Sequence, residues 1–401
     1  MTDILKRTWA EINLDAFAYN YQQIRKAIAP SAKLCAVIKA DAYGHGAVRV
    51  AEELQALGTD FFAVSNLEEA LQLRLSGISI PILVLGYTPT SHVKTLSEQN
   101  ISQCVYAWDY AQKLSAEAVK QQVEIKAHLK IDTGMNRIGF HLSESPTEEE
   151  IQPLLSVCRL PHLDWQGIFT HFAVADEAQD GKDFTKHQMH CFTRACQILQ
   201  QHGFTFPLRH VSNSAAILDY PQTHMDMVRA GIILYGLYPS AKVQHNQKLH
   251  PTLALKSVVS HVKLIQKGDT VSYGRIFTAE HAMKIITVPI GYADGYPRIL
   301  SLNGADVLVG GKRCKIVGRI CMDQLMADAS KLDSVQIGDE VTLIGRDGEE
   351  EITADELAGY QESINYEVIC DIGKRVPRVY YKKGKIVSVS NQILPVIHKR
   401  Q

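Results

Sequence analysis

Two textures alternate along the first 245 residues. Short apolar runs rich in Val, Ile, Leu and Phe predict buried strands, and longer stretches with apolar residues every three or four positions predict helices. Leu14, Phe17, Tyr21, Ile24 and Ile28 share one helical face behind a capping residue, Asn13. A strand follows over 34–38, then a helix through Val48, Ala51, Leu54 and Leu57 that Gly58 stops. Strands are predicted over 61–64, 81–85, 103–106, 163–170, 208–212 and 225–228. Helices are predicted over 90–99, 108–120, 147–157 and 184–201, with a short one after 212. Ser65 with Glu68, and Thr147 with Glu150, have the spacing of capping boxes, in which each side chain satisfies a backbone N–H of the first helical turn. Over 123–132 the alternation is strict. Val123, Ile125, Ala127, Leu129 and Ile131 face one way; Glu124, Lys126, His128, Lys130 and Asp132 face the other. Eight strand–helix alternations imply a parallel sheet with helical crossovers. Eight units in about 230 residues suit a closed (β/α)8 TIM-type barrel, with an open doubly wound sheet as the alternative.

Beyond about His245 the pattern changes. β-branched runs recur at 258–265, 283–288, 306–309, 315–317 and 340–344. Gly268-Asp269, Gly310-Gly311, Asp347-Gly348 and Lys383-Gly384 mark turns between such segments. Thr353 and Glu356 open one short helix. The reading is α/β plus β: a barrel over residues 11–245 and a mainly-β domain over 246–401.

Composition narrows the function. The 401 residues are 46% apolar and 21% charged, with a net charge of −1, which excludes global disorder. A near-neutral chain lacks the basic excess of a general nucleic-acid binder. Asp3, Lys6, Arg7 and Glu11 leave no apolar signal core at the start, and no run approaches the ~18 apolar residues of a membrane span. Eight cysteines, none spaced CxxC, fit a reducing compartment, so a cytoplasmic protein is expected. Gly311-Lys312 is not a phosphate-binding P-loop, because Asp306 stands at the first glycine and Arg313 at the Ser/Thr. No GxGxxG follows a strand, and no His/Cys spacing suits zinc, so no metal is expected.

Active sites of parallel barrels form at the C-terminal ends of the strands. There the chain delivers Lys39, then Lys130 with Arg137 in its loop, then His171, then His210 with Ser212 and Ser214, and last Arg229. Singly, each is more often a solvated or ion-paired residue; Lys130, for example, could simply pair with Asp132. Together, cations, imidazoles and hydroxyls around one rim suit an anionic ligand with a proton-transfer centre.

Specific motifs lie on that rim. Ala36-Val37-Ile38-Lys39-Ala40-Asp41-Ala42-Tyr43-Gly44-His45-Gly46 resembles the pyridoxal-phosphate attachment segment of alanine racemases. His128-Leu129-Lys130-Ile131-Asp132-Thr133-Gly134-Met135-Asn136-Arg137 resembles the family's second signature. Thr170-His171-Phe172, Ser212-Asn213-Ser214, Arg229-Ala230-Gly231-Ile232, Val271-Ser272-Tyr273-Gly274, Gly291-Tyr292-Ala293-Asp294-Gly295-Tyr296, Cys321-Met322-Asp323 and Asn365-Tyr366-Glu367 follow in family order. The matches span about residues 9–380.

The resemblance implies a homodimer of a (β/α)8 barrel and a β domain that interconverts L- and D-alanine on pyridoxal 5'-phosphate. In such proteins D-alanine usually supplies peptidoglycan synthesis, and the first residues, here 1–10, join the β domain. The resemblance makes Lys39 the cofactor's attachment point and one acid/base, and Tyr273 of the partner subunit the other. A tyrosine with a pKa near 10 needs help to act as a base at neutral pH. His171 and Arg229 are implied to provide it, with Arg229 also facing the cofactor's ring nitrogen. Tyr43, Ser214, Gly231, Ile232 and Tyr366 are implied to hold the phosphate, and Arg137 the cofactor's phenolic oxygen. Arg137, Tyr292, Asp323 and the partner subunit's Met322 are implied at the substrate, and Lys130 is implied to be carbamylated. A serine racemase of the same fold, a barrel-type decarboxylase and a cofactor carrier are the rivals. Tyr366 beside the side-chain pocket favours alanine, Arg229 disfavours the decarboxylase, and the β domain carrying Tyr273 and Met322 disfavours the carrier.

Overall fold

In the computed structural model, residues 5–394 are described. The chain divides into two compact units. One comprises Phe17–Ala42 and Ala47–His250; the other runs up to Ala16, takes in Tyr43–Gly46 and resumes at Pro251. Residues 1–4 and 395–401, within the expected domain limits, lie outside the described residues.

The first unit is a parallel barrel. Its strands are β2 (Lys33–Val37), β3 (Phe61–Val64), β4 (Ile82–Val84), β5 (Ile101–Val105), β6 (Ile125–Asp132), β8 (Leu163–Phe169), β9 (Leu208–His210) and β10 (Met227–Ala230). The short β7 (Phe140–His141) pairs with β6, and β1 (Thr8–Asn13) belongs to the other unit. The order β10-β2-β3-β4-β5-β6-β8-β9 is parallel throughout. At the seam, the Asp226 amide donates to the Arg209 carbonyl (3.2 Å) and the Arg229 amide to that of Ser212 (3.0 Å). These bonds bring the two ends of the order together, so the barrel is nearly closed and the open-sheet alternative falls. β3, β4 and β5 are buried at every position, because side chains fill the inside and helices cover the outside.

The helices are α1 (Leu14–Ala27), α2 (Ala47–Ala56), α3 (Leu67–Leu75), α4 (Val93–Glu98), α5 (Trp108–Gln121), α6 (Glu148–Cys158), α7 (Ala178–Gln201) and α8 (Ser214–Asp219). Asn13 caps α1 through the Ala16 amide (3.0 Å), and Thr147 with Glu150 forms the expected box on α6. At α3 the box sits one residue later than its spacing suggested. Asn66 accepts from the Glu69 amide (2.9 Å), and Glu69 accepts from the Ser65 amide (2.7 Å). Helix α7 begins six residues before the predicted start. The final strand lies two residues beyond 225–228, so Arg229 is inside it rather than after it.

The second unit is mainly β. Its large sheet runs β17 (Lys312–Lys315), β16 (Asp306–Val309), β19 (Glu340–Asp347), β11 (Leu253–Val258), β1, β21 (Arg378–Lys382), β22 (Lys385–Ser390), with β20 (Glu350–Ile352) on β19. A second sheet joins β12 (His261–Ile265), β15 (Met283–Val288) and β18 (Leu325–Asp328), and β13 (Thr270–Val271) pairs with β14 (Phe277–Thr278). Besides a single helical turn at Ile299–Leu302, its helices are α9 (Ala354–Gln361) and α10 (Asn365–Cys370). The predicted 258–265 strand breaks in two because β11 and β12 serve different sheets, and the 315–317 strand is in fact β17. Ile265, Val271, Ala279, Met283, Ile285 and Val317 form a small core around the β13–β14 hairpin that carries Tyr273. Among the described residues no helix is long and apolar enough to cross a membrane.

Candidate active site

The polar face of β6 points into the barrel. His128, Lys130 and Asp132 are all buried there. Phe169 from β8 stacks on His210 (centroids 4.7 Å apart, 7° between planes), and its ring receives the Arg229 guanidinium at 5.3 Å and the Lys130 ammonium at 5.4 Å. Gly167 leaves the space that the His128 ring occupies.

Arg229 organises this interior. Its Nη1 donates to His210 Nδ1 (2.8 Å) and to the His210 carbonyl (2.8 Å). Its Nη2 donates to the carbonyls of Thr170 (2.7 Å) and Val211 (3.0 Å) and contacts His171 Nδ1 (3.3 Å). An arginine only donates, so both imidazoles accept through Nδ1 and carry their proton on Nε2. The His210 Nε2–H then donates to His128 Nδ1 (2.9 Å). That leaves the proton of His128 on its own Nε2, which has no hydrogen-bond partner among the described residues. Burial, and then the Arg229 charge, pushes the His128 pKa down to about 3 and holds His171 and His210 well below the usual histidine range. All three are neutral at neutral pH. Arg229, lowered to about 10 by burial, stays protonated.

The Lys130 pKa is lowered to about 8, chiefly by burial, and its ammonium donates to the Ile131 carbonyl (2.8 Å). The Asp132 carboxylate is engaged elsewhere. Its Oδ1 accepts from the amides of Gly134 (3.0 Å), Met135 (3.0 Å) and Asn136 (3.1 Å), which fixes the loop leading to Arg137. One residue, Ile38, separates Lys39 from the end of β2, and Ala40, Asp41, Ala42 and Tyr43 after it all lie in the left-handed region, with φ of 50–53°. Each such non-glycine residue costs about 1–2 kcal/mol, so this turn persists only because its surroundings dictate it. The Ala40 amide donates to Glu69 (2.7 Å) and the Ala47 amide to Asp41 (2.7 Å). Across the rim, the Gly231 amide donates to Ser214 Oγ (3.0 Å), where α8 and the turn Ile232–Tyr235 begin.

The β unit holds the remaining predicted residues. Tyr43 lies 6.0 Å, ring to ring, from Tyr366. Its segment is fixed by buried Arg378, which donates to the Gly44 carbonyl (2.9 Å), and by the Tyr380 hydroxyl, which donates to the His45 carbonyl (3.0 Å). Tyr273, Tyr292 and Met322 are exposed. Ser272 ties the Tyr273 turn to the Arg319 carbonyl (2.5 Å). The amides of Tyr292 and Ala293 donate to the carbonyls of Cys321 (3.1 Å) and Met322 (3.0 Å). Arg375 bonds Asp323 (2.7 Å) and reaches the fully buried Asp294 (3.5 Å), which Arg7 also grips (2.7 and 3.2 Å).

The family model for the N-terminal domain of alanine racemase matches residues 12–239, and that for the C-terminal domain matches 252–380. The chain belongs to the alanine racemase family. Alanine racemase 1 of Clostridium acetobutylicum is 45% identical to it over 97% of this chain and 99% of that protein. The alanine racemase of Desulforamulus reducens is 46% identical over 93% and 98%. Among solved structures, the alanine racemase of Clostridium difficile 630 superposes with a TM-score of 0.92 at 42% identity over 98% of this chain and all of that one. The Bacillus anthracis enzyme with bound L-Ala-P gives 0.91 at 37% identity over 98% and 99%.

A member of this family is an isomerase, an amino-acid racemase. The charges of Arg229, Arg137, Lys130 and Lys39 all act on His171, so these five predicted residues converge. Sequence reasoning overlooked what holds them. The sequence places His128 and Asp132 on the polar face of the 123–132 strand, with Asp132 as a candidate partner for Lys130, but gives neither a scaffolding role, and it gives no reading of Gln188 or Arg375. Strict alternation over 123–132 was the one available signal for His128 and Asp132. Nothing local marks Gln188 or Arg375, whose partners are distant in sequence.

Proposed function

We propose that this protein interconverts L- and D-alanine in the cytoplasm as a homodimer using pyridoxal 5'-phosphate, so supplying D-alanine for peptidoglycan. The donor set suits that group. Arg229 hydrogen-bonds only to carbonyls and imidazoles among the described residues, so the cation has no carboxylate to neutralise it. Lys39 would hold the cofactor covalently. Ser214, the amides of Gly231 and Ile232, Tyr43 and Tyr366 would hold its phosphate. Arg137 would meet its phenolic oxygen and Arg229 its ring nitrogen. Because Arg229 keeps its proton, that nitrogen would stay unprotonated. When bound, the cofactor withdraws electrons from the substrate α-carbon and acidifies its hydrogen.

The chain's residues then move the proton. The Lys39 amine, released once the substrate amine takes its place on the cofactor, would serve one face, and the Tyr273 hydroxyl of the partner subunit would serve the other. His171 accepts from Arg229 at Nδ1, which leaves its Nε2–H free to donate to the Tyr273 oxygen and favour the phenolate. Arg137 and the backbone N–H of the partner subunit's Met322 would hold the substrate carboxylate, beside Tyr292 and Asp323. Lys130, with a pKa of about 8, keeps a neutral fraction near neutrality. That amine can add to CO2 and release one proton, and the resulting carbamate anion would orient Arg137.

The observation that carries this reading is the neutral His171 fixed by the buried, protonated Arg229. Incubation with L-alanine or L-serine in D2O tests it. Rapid D-alanine formation with α-deuterium incorporation, and slow serine turnover, is expected. Preference for serine, or no exchange despite a borohydride-reducible lysine adduct, would overturn it.

A further inference from the structure

The two loops that carry His171 and Arg137 leave different strands, yet one buried side chain ties them together. Gln188 on α7 is fully buried. Its Oε1 accepts from the Ala173 amide (2.9 Å), and its Nε2 donates to the His171 carbonyl (3.1 Å) and to Thr133 Oγ1 (3.2 Å). Three of the four hydrogen-bonding positions of the amide are therefore used, all on residues flanking the site.

These contacts close a ring. Thr133 Oγ1 bonds Thr170 Oγ1 (2.8 Å), the Thr170 carbonyl accepts from Arg229 Nη2, and the same nitrogen reaches His171 Nδ1. The His171 carbonyl returns to Gln188. Thr133 adjoins Asp132, whose carboxylate sets the three amides before Arg137. Helix α7 lies against both loops. A Cβ at Gly181 would collide with the Val174 carbonyl, and one at Gly134 would lie 2.8 Å from the Phe184 ring.

We propose that Gln188 is a positioning residue that holds the backbone of His171 and the Arg137 loop in one fixed relation, so that proton transfer and substrate holding stay in register. This rests on the roles given above to His171 and Arg137. The amide is chemically required, because the side chain must accept from one backbone group and donate to two oxygens at once. Leucine fills similar space but makes none of these bonds. An ionised glutamate keeps the acceptor and loses both donors.

The test compares wild type, Gln188→Leu and Gln188→Glu, each loaded with cofactor. For Gln188→Leu, kcat for alanine is expected to fall about 10–100-fold while KM changes less than about threefold, the range expected of a misplacement approaching an ångström. Hydrogen exchange should accelerate in residues 132–137 and 170–174 and stay unchanged in the rest of the barrel. For Gln188→Glu, kcat relative to wild type should rise as the pH falls from about 8 to 6, because a protonated carboxyl regains one donor. If Gln188→Leu does not fold, this pH ratio carries the test. A kcat within about threefold of wild type, a flat pH ratio, or protection lost across the whole barrel overturns the positioning role. A wild type that fails to turn over alanine sinks the racemase reading instead, and the exchange pattern still decides whether Gln188 couples the loops.

Discussion

An arginine guanidinium has no acceptor, and from that the protonation of three imidazoles follows. Arg229 forces His210 and His171 to accept, and His210 then passes its one proton toward His128. The cost falls on neighbours that must leave room. Gly167 sits in a strand, where glycine is usually about 0.5–1 kcal/mol worse than alanine. A Cβ there, however, would collide with His128 Nδ1 and lie 2.7 Å from its Cε1 and 2.9 Å from the Leu208 carbonyl. The clash outweighs the entropy, so Gly167→Ala should lose about 1–3 kcal/mol of stability by urea unfolding. Asp132 poses a similar residue-scale question. Removing its carboxylate leaves three loop amides without their acceptor. Asp132→Ala should lower kcat/KM for alanine about 10–100-fold, whereas Asp132→Asn, which keeps an acceptor oxygen, should recover most of it in steady-state assays.

At the scale of elements, periodicity located the barrel strands because both faces are apolar or enclosed, and it erred where contacts from elsewhere set the boundary. The last strand slid by two residues because the Met225–Val228 run looks like a strand, while the register that Arg229 and Cys35 share sets the true one. Helix α7 starts early because its first turns are polar and pack through backbone at Gly181 rather than through an apolar stripe. The left-handed turn after Lys39 contains no glycine until Gly44, so no residue signals it. The motifs made the rim legible, but its scaffolding was not, since Gln188 and Arg375 act on chain segments far from their own. The loop pair of Tyr292 and Met322 shows the consequence. Its backbone bonds rest on Asp294, whose carboxylate depends on Arg7 and Arg375. Breaking a buried pair costs about 3–5 kcal/mol, which partial exposure of Arg7 reduces to about 1–3. Arg7→Ala should therefore lower the thermal midpoint by several degrees. It should also raise KM for alanine about 3–10-fold with kcat nearly unchanged, because the Met322 segment loosens while the barrel groups stay in place.

For the whole molecule, a barrel interior built on cations and neutral imidazoles sets a limit on acid tolerance. His128, His171 and His210 are each held below the usual histidine pKa, first by burial and then by Arg229. In the unfolded chain each returns to about 6.5. Between that value and the depressed folded one, the unfolded state binds more protons, so stability must rise with pH in this window and fall as acid is added. The stabilisation is complete above about pH 6.5 and declines toward pH 3, the folded value for His128. For His128 this costs about 1.4 kcal/mol per pH unit, or about 2 kcal/mol between pH 6.5 and 5. His171 and His210, lowered by burial and then by Arg229, act in the same direction. Carboxylates titrate mainly below this range, so between about pH 5 and 6.5 the histidines dominate. Unfolding in urea at pH 5.5 should therefore take up about one proton at His128 and further protons at His171, His210 and His224, measured by potentiometric difference titration. An uptake below one proton would show that the imidazoles are charged in the folded barrel. Arg229 would then have to donate toward a cation, and the order of hydrogen-bond donation from Arg229 through His210 to His128 would not stand.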